Sequence, residues 1–339
     1  MKVSIDGGGI CASVRQRFGN YIVTTNLLSA LSRHDRQNIY NIYSFCQQPP
    51  GDFDVNNFRY RILQPKQLWM KLRVSLEELL ERSDIFLALN QATPGYTPAK
   101  IISLSHGLSF HYFPHYYRNG FIRFTQQFKA MVSHSDKIIV SSVKVKSEFN
   151  DIFPKFGNIH VLPFGVPQDM IEKVYPDTRK DKFFMFVGMN HPIKNIRFIV
   201  KSFKQFTRMN KRNKYRLFLI GISDTKKNLG NNIIALPHLS RPDLKNMYRQ
   251  ATACLTASYY ESFNLPVLEA LSMGCPVIGL NTAIIPELKP YCQIAHDSQE
   301  FQAHMLSALS GKIKKVQPLL IRKKFSWDDF AKKLIELYR

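Results

Sequence analysis

Short apolar runs and longer amphipathic stretches alternate along nearly the whole chain. Residues 2–5 alternate as a strand and lead into Gly7, Gly8 and Gly9. Helical spacing follows over 21–31, and 39–45 reads as a strand. Residues 47–57 form a loop marked by Pro49, Pro50 and Gly51. The spacing predicts an amphipathic helix over 68–81, with Trp69, Leu72, Leu76, Leu79 and Leu80 on one side and Lys66, Lys71 and Arg73 near its start. The default expectation is that this apolar side packs on the sheet of its own domain. Residues 84–88 and 100–103 read as buried parallel strands, and 121–131 as a helix with Phe121, Phe124, Phe128 and Met131 in the core. The polar segment 167–182 predicts an interdomain linker.

The pattern then restarts. An apolar strand over 183–187 runs into Gly188 and a loop, followed by a helix whose buried stripe is Ile196, Ile199, Phe203 and Phe206, leaving Arg197, Lys201, Lys204 and Arg208 outward. Residues 216–221, 233–236 and 253–256 read as strands, with a helix near 243–250. The stretch 253–280 is a strand, a turn, a helix and a strand. Pro266 suits the first helical turn because it lacks an N–H that would go unpaired there, Gly274 closes the helix, and Pro276 prevents its continuation. Such a unit puts a helix N-terminus at a strand's C-terminal end, where unpaired backbone N–H groups and a partial positive charge suit an anion.

With 339 residues and 45% apolar content, two α/β domains are the natural expectation. The five cysteines, at 11, 46, 254, 275 and 292, are odd in number and widely spaced, which suggests neither a disulfide framework nor a zinc site and fits a reducing compartment. No segment reaches the ~18 apolar residues of a spanning helix, so a cytoplasmic location, at most peripheral to a membrane, is expected. The net charge of +22 is patchy: residues 201–250 hold 12 Lys or Arg against 2 acids, 301–339 hold 9 against 3, and 251–300 hold 1 against 5. Basic patches attract polyanions, and the 68–81 helix with its flanking cations could instead lie on an anionic membrane. Generic solubilising lysine is the alternative reading of these patches.

The candidate chemistry lies in two carboxylates, Glu261 in the turn and Glu269 one turn into the helix. Each can accept hydrogen bonds from sugar hydroxyls on either side of a diphosphate at the helix start, or serve only as a solvated turn residue and a dipole-favoured first-turn glutamate. The string Y-E-S-F-N-L-P-V-L-E-A followed by G-C-P-V, from Tyr260 to Val277, resembles the E-x7-E signature of the family 4 retaining glycosyltransferases. Ser262 and Asn264 replace the two glycines usual inside E-G-F-G. The resemblance implies a GT-B enzyme with two Rossmann-like domains facing a cleft. It would transfer a hexose from a nucleotide diphosphate sugar with retention, and with no metal or other cofactor. In that family the residue matching Glu269 binds the nucleotide ribose, the one matching Glu261 contacts the donor sugar, and Phe263, Asn264 and Leu265 lie at the diphosphate.

Further segments carry the same resemblance. P-I-K-N at 192–195, following Gly188, resembles the diphosphate loop, with Lys194 as phosphate ligand and Met189 where many members have a second, arginine ligand. H-G-L-S-F-H-Y-F-P at 106–114 resembles the segment in which the position of His106 lies beside the donor sugar. Gly8, Gly9 and Ile10 match an N-terminal loop contacting donor or acceptor, with Arg15 and Arg17 beyond it. Residues 136–142 and 160–166 resemble the closing strands of the family's first domain, 237–251 the S-x-x-x-L-x-x-x-Y-x-x-A run, and 325–339 the helix that returns to the first domain. The implied division is 1–166 plus 325–339 as acceptor-side domain, 167–182 as linker, and 183–324 as nucleotide-sugar domain.

The mechanism usual in the family is front-face attack, a donor phosphate oxygen taking the acceptor's proton. The P-x-K-N form and the 106–114 segment look most like the mannosyltransferase B-like branch. That suggests GDP-mannose, with UDP-hexoses open, and a growing glycan or lipid-linked acceptor in polysaccharide or lipopolysaccharide synthesis. Two alternatives stand beside it: a GT-B nucleotide-sugar epimerase, and a non-catalytic binder of anionic polymer, nucleic acid being disfavoured. The D-x-D triplet Asp52 and Asp54 sits in a turn and reads as solvated, unlike the metal-binding pair of GT-A transferases.

Overall fold

Strands rich in branched and aromatic residues, apolar along their whole length, belong to parallel sheets covered on both faces. Phe183–Val187, Ile85–Ala88 and Ala253–Thr256 are of this kind, and all but Val187 among their residues are buried. The computed structural model describes residues 1–13, 19–46, 56–118, 120–171, 183–210, 215–222 and 229–339. Arg15, Arg17, Asp52, Asp54 and the 172–182 part of the expected linker lie outside these residues. The chain forms two units, Met1–Gly165 with Ser326–Arg339, and Val166–Phe325.

In the first unit, β1 (Lys2–Asp6), β2 (Ile39–Ser44), β3 (Phe58–Ile62), β4 (Ile85–Ala88), β5 (Lys100–Ser105), β6 (Lys137–Val140) and β7 (Ile159–Val161) form one parallel sheet, in the order β3-β2-β1-β4-β5-β6-β7 among the described residues. The strand order reverses between β1 and β4, so the loops after their C-terminal ends flank a crevice of the kind where open α/β sheets bind ligands. Helices α1 (Gly19–His34), α2 (Ser75–Glu81), α3 (Ser109–Tyr112), α4 (Phe121–His134) and α5 (Val143–Ile152) belong to this unit. Phe128, Met131, Val145 and Phe149 of α4 and α5 share a core with Ile138, Val140 and Ile159 of the sheet, and Phe121 and Phe124 pack against it.

Two features depart from the sequence expectations. Cys11 and Cys46 form a disulfide, their Cα atoms 5.5 Å apart. They are 35 residues apart in the chain, but Cys11 follows the loop after β1 and Cys46 the end of its neighbour β2. The three remaining cysteines are buried thiols. The second departure is the 68–81 segment, a π-helical stretch (Trp69–Val74) running into α2. Trp69 and Val74 enter the core with Tyr43 and Phe86, but Leu68, Leu72, Leu76, Leu79 and Leu80 face solvent, while Glu77 and Glu78 are buried. Hydrogen bonding explains the inversion. Glu78 accepts from the hydroxyls of Tyr43 (2.7 Å), Thr97 (2.7 Å) and Ser83 (3.2 Å), and Glu77 pairs with Arg61 at 2.9 Å.

In the second unit, β8 (Phe183–Val187), β9 (Arg216–Ile220), β10 (Ile233–Leu236), β11 (Ala253–Thr256), β12 (Val277–Leu280) and β13 (Gln293–Ala295) form a parallel sheet, ordered β10-β9-β8-β11-β12-β13 among the described residues. Here the reversal falls between β8 and β11. Helices α6 (Ile196–Met209), α7 (Arg241–Gln250), α8 (Leu265–Ser272), α9 (Ser298–Leu309) and α10 (Pro318–Lys324) complete it. Ile199, Phe203 and Phe206 of α6 are buried against Phe184, Leu217 and Phe301. The last helix, α11 (Trp327–Glu336), belongs to the first unit: Trp327 stacks on Phe164 with ring centroids 5.6 Å apart, and Asp328 pairs with Arg33 of α1.

Candidate active site

The second unit gathers its candidate residues at its strand-order reversal. Gly188 directly follows β8, and Gly221, at φ +89°, packs so closely that a Cβ on it would lie 2.5 Å from the Gly188 carbonyl oxygen. The chain then makes a short turn over Pro192–Lys194, capped by the His191 ring and ended by Asn195 in the left-handed region, φ 49°. Asparagine accepts that conformation far better than most non-glycine residues, so α6 can begin at once behind the lysine. Across the reversal, β11 leads to Ser258 and Glu261. The Tyr259 N–H donates to the Ile193 carbonyl at 2.9 Å and joins the two loops.

That junction sets the first pair. The Lys194 ammonium donates to Glu261 Oε1 at 2.7 Å, and the Ser258 hydroxyl donates to the same oxygen at 2.6 Å. Glu261 is buried and Lys194 mostly so. A cation and a carboxylate from loops 67 residues apart thus stand together at the C-terminal edge of the sheet.

Asn264 connects this pair to α8. It holds φ 68° and ψ 69° as N-cap of α8, no side chain capping that helix, and its amide donates to the Ala283 carbonyl at 3.0 Å and to Thr256 Oγ1 at 3.3 Å. Asparagine therefore fills a backbone conformation that otherwise favours glycine. Phe263 is buried, its ring 6.1 Å from that of Phe325, and is a packing residue; Leu265 is the partly buried first residue of α8.

Glu269, in the middle of α8, has a different environment. Arg241 Nη2 donates to its Oε1 at 2.8 Å, and the Tyr248 hydroxyl donates to Oε2 at 3.3 Å. The same guanidinium reaches Asp169 with Nε at 2.5 Å and Nη2 at 3.0 Å. Burial pushes the Glu269 carboxyl above its ordinary value, and the charge of Arg241 opposes that push. Burial likewise works against the guanidinium's charge, and Glu269 and Asp169 more than offset it. Lys194 and Glu261 form one cluster and Glu269, Arg241, Tyr248 and Asp169 a second, with α8 carrying the link between them.

In the first unit, the loop after β1 closes against the one after β4. Asp6 accepts from the Gly8 N–H at 3.0 Å and from the side-chain amide and N–H of Asn90 at 2.9 and 3.2 Å. Burial raises the Asp6 carboxyl pKa, and these donors lower it. A Cβ on Gly9 would lie 2.5 Å from Thr24 Oγ1, so packing alone already requires this glycine; Ile10 is buried. His106 directly follows β5, partly buried, and its Nε2–H donates to the Leu89 carbonyl at 2.8 Å. Burial holds its imidazole below the ordinary 6.5.

Arg241, Asp169 and Ser258 were not foreseen as site residues. Tyr248 could have been, since it is the tyrosine of the S-x-x-x-L-x-x-x-Y-x-x-A run that starts at Ser240. Arg241 gives no local signal: its carboxylate partners are 28 and 72 residues away. Among the described residues there is no cluster of His, Cys, Asp and Glu able to hold a metal ion.

Residues 168–291 match the family model "Glycosyl transferases group 1". The O-antigen chain mannosyltransferase B of Escherichia coli is 27% identical over 174 residues, 46% of this chain and 45% of that protein, so the match spans less than half of that relative. Among solved structures, Anabaena Alr3699/HepE in complex with UDP and glucose superposes with a TM-score of 0.71 at 12% identity, over 99% of each chain. WaaG, a glycosyltransferase involved in lipopolysaccharide biosynthesis, gives 0.67 at 14% identity, over 99% of this chain and 95% of its own. The stretch that matches the group 1 glycosyl transferase model thus lies in the second unit, and the chain as a whole shares the GT-B fold of these solved structures.

Proposed function

We propose that the protein is a retaining glycosyltransferase that moves a hexose from a nucleotide diphosphate sugar to a growing glycan or lipid-linked acceptor. GDP-mannose is the favoured donor. The observation that carries this reading is the Lys194–Glu261 pair at 2.7 Å, one turn ahead of the α8 N-terminus. A departing diphosphate needs positive charge that is already in place, since fixed dipoles and cations stabilise developing charge without reorganisation. Lys194 and the start of α8 would supply it. Glu261 would accept from donor sugar hydroxyls and Glu269 from the ribose, with Gly188 and Leu265 beside the diphosphate and His106, Gly8 and Gly9 serving the sugar and acceptor from their own unit. No metal or other cofactor enters this scheme. The preference for GDP-mannose is supported by the likeness to the mannosyltransferase of Escherichia coli, and the role in surface polysaccharide or lipopolysaccharide synthesis by that relative and WaaG.

Thermal shift against GDP, UDP and ADP and their sugar conjugates, without added metal, tests the donor. A ligand at about a hundred times its Kd stabilises by roughly 2.7 kcal/mol. GDP is expected to raise the melting temperature most. Lys194→Ala and Glu269→Ala are expected to abolish both that shift and transfer from GDP-mannose, while melting cooperatively. A chain that no nucleotide stabilises, or either variant turning over at a near-normal rate, overturns the proposal.

A further inference from the structure

Exposed leucines scattered singly over a surface need no explanation, but those of the 68–81 segment are not scattered. Leu68, Leu72, Leu76, Leu79 and Leu80 are 64%, 62%, 52%, 48% and 74% exposed. Leu72, Leu76, Leu79 and Leu80 share one side because the wider π-helical turn over Trp69–Val74 shifts the register ahead of α2, and Leu68 lies at the N-cap just before that turn. On the opposite side the helix is held to the body of the unit by Trp69 and Val74 in the core and by Glu77 and Glu78 in their network. The leucine face cannot turn inward without burying it at the expense of those bonds. It is therefore a fixed apolar surface.

Its surroundings indicate what covers it. Lys66 and Lys71 are exposed at the start of the same segment, with Lys66 lying 4.9 Å over the Phe45 ring, and Arg82 is exposed at its end. The acids of the helix are not on this face, since Glu77 and Glu78 are buried and Glu81 is taken by Lys2 and Arg61. The Tyr96 N–H donates to Ser75 Oγ at 3.1 Å, which places a 57% exposed tyrosine beside the helix. Leucines on one face, cations at both ends, an adjacent aromatic and no outward acid match an in-plane interfacial helix. A protein partner would not require cations at both ends, whereas an anionic lipid surface attracts each of them.

We propose that the face of Leu68, Leu72, Leu76, Leu79 and Leu80 docks the protein on an anionic lipid bilayer, the leucines entering the headgroup region while Lys66, Lys71 and Arg82 meet lipid phosphates. This stands on the first unit alone and does not depend on the transfer reaction. Co-sedimentation of the full chain with phosphatidylglycerol–phosphatidylcholine vesicles, and with phosphatidylcholine alone, tests it. Binding is expected only to the anionic vesicles. Lys66→Gln and Lys71→Gln are each expected to weaken it about fivefold, and Leu72→Glu with Leu76→Glu by at least about tenfold, with the melting temperature little changed.

Leu80→Trp gives a second readout, because Trp69 and Trp327 are both buried: the added indole's emission should shift to the blue with anionic vesicles only. Absence of vesicle binding overturns the proposal. So does undiminished binding by the glutamate variant, which would move the contact to another basic surface. A wild-type dimer that the glutamate variant dissociates, with no lipid binding, would mean instead that the face joins two copies of the chain.

Discussion

Asn264 sits at φ 68°, a conformation in which an ordinary side chain costs about 1–2 kcal/mol. Its amide bonds to the Ala283 carbonyl and Thr256 supply part of that cost, each worth about 1 kcal/mol net. Asn264→Ala loses both the tolerance and the bonds and should destabilise by about 2–3 kcal/mol; Asn264→Gly loses only the bonds and should cost about 1 kcal/mol less. Chemical denaturation of both variants decides it, and an alanine variant as stable as the glycine one would refute the backbone argument. Ser262 offers no comparable account, since its conformation is an ordinary one. His106 carries a pH dependence. Its folded pKa is depressed below 6.5, so the neutral ring is favoured by folding. The contribution is fully present above about pH 6.5 and is lost as pH falls toward the folded value, at no more than about 1.4 kcal/mol per pH unit for one proton. Melting temperatures between about pH 7 and 5 should fall less steeply in His106→Gln than in the wild type; equal slopes would remove the assignment. His160, His191 and His238 shift in the same direction, which is why the comparison of variant with parent carries the test.

At the scale of elements, the sequence was most informative where one rule acts alone. The apolar strands, the α6 stripe of Ile199, Phe203 and Phe206, and the punctuation of α8 by Pro266 and Gly274 follow from periodicity and backbone chemistry, and all appear as expected. Periodicity leaves open which face turns inward and presumes α-helical turns throughout, and the 68–81 segment departs on both counts: its leucines face solvent, and the π-helical stretch separates Trp69 from them and buries it. Glu78 there accepts from three hydroxyls while being fully buried, so truncating it strands donors in the interior. Glu78→Ala is expected to cost about 2 kcal/mol or more, and Leu80→Ala less than about 0.5 kcal/mol, the reverse of the usual ranking of leucine and glutamate. Equilibrium unfolding measures both, and a larger loss at Leu80 would contradict the orientation described. The Cys11–Cys46 disulfide and the Arg241 contacts were illegible for a related reason. Each depends on which strands and loops become neighbours, information that exists only once the sheet order does.

At the scale of the molecule, the two basic-rich regions of the sequence flank a locally acidic one, and the acids of that one are largely committed. Glu261 and Glu269 of 251–300 are engaged by Lys194 and Arg241, so the patchiness that first suggested polyanion binding in part records the building of the candidate site. The order of the chain carries a different consequence. The first unit is interrupted: it opens with Met1–Gly165 and closes with Ser326–Arg339, where Trp327, Phe330 and Leu334 are buried and α11 lies against α1. On a ribosome that threads out about 5–20 residues per second, the 160 residues of Val166–Phe325 emerge between the two parts. The surface of α1 that receives α11 must therefore wait uncovered for roughly 10–30 s, long enough for the inserted unit, contiguous in the chain, to finish first. Of the two units, the one whose first part emerges earlier is the one that completes later, and in that interval its exposed apolar seam is the feature a chaperone would recognise.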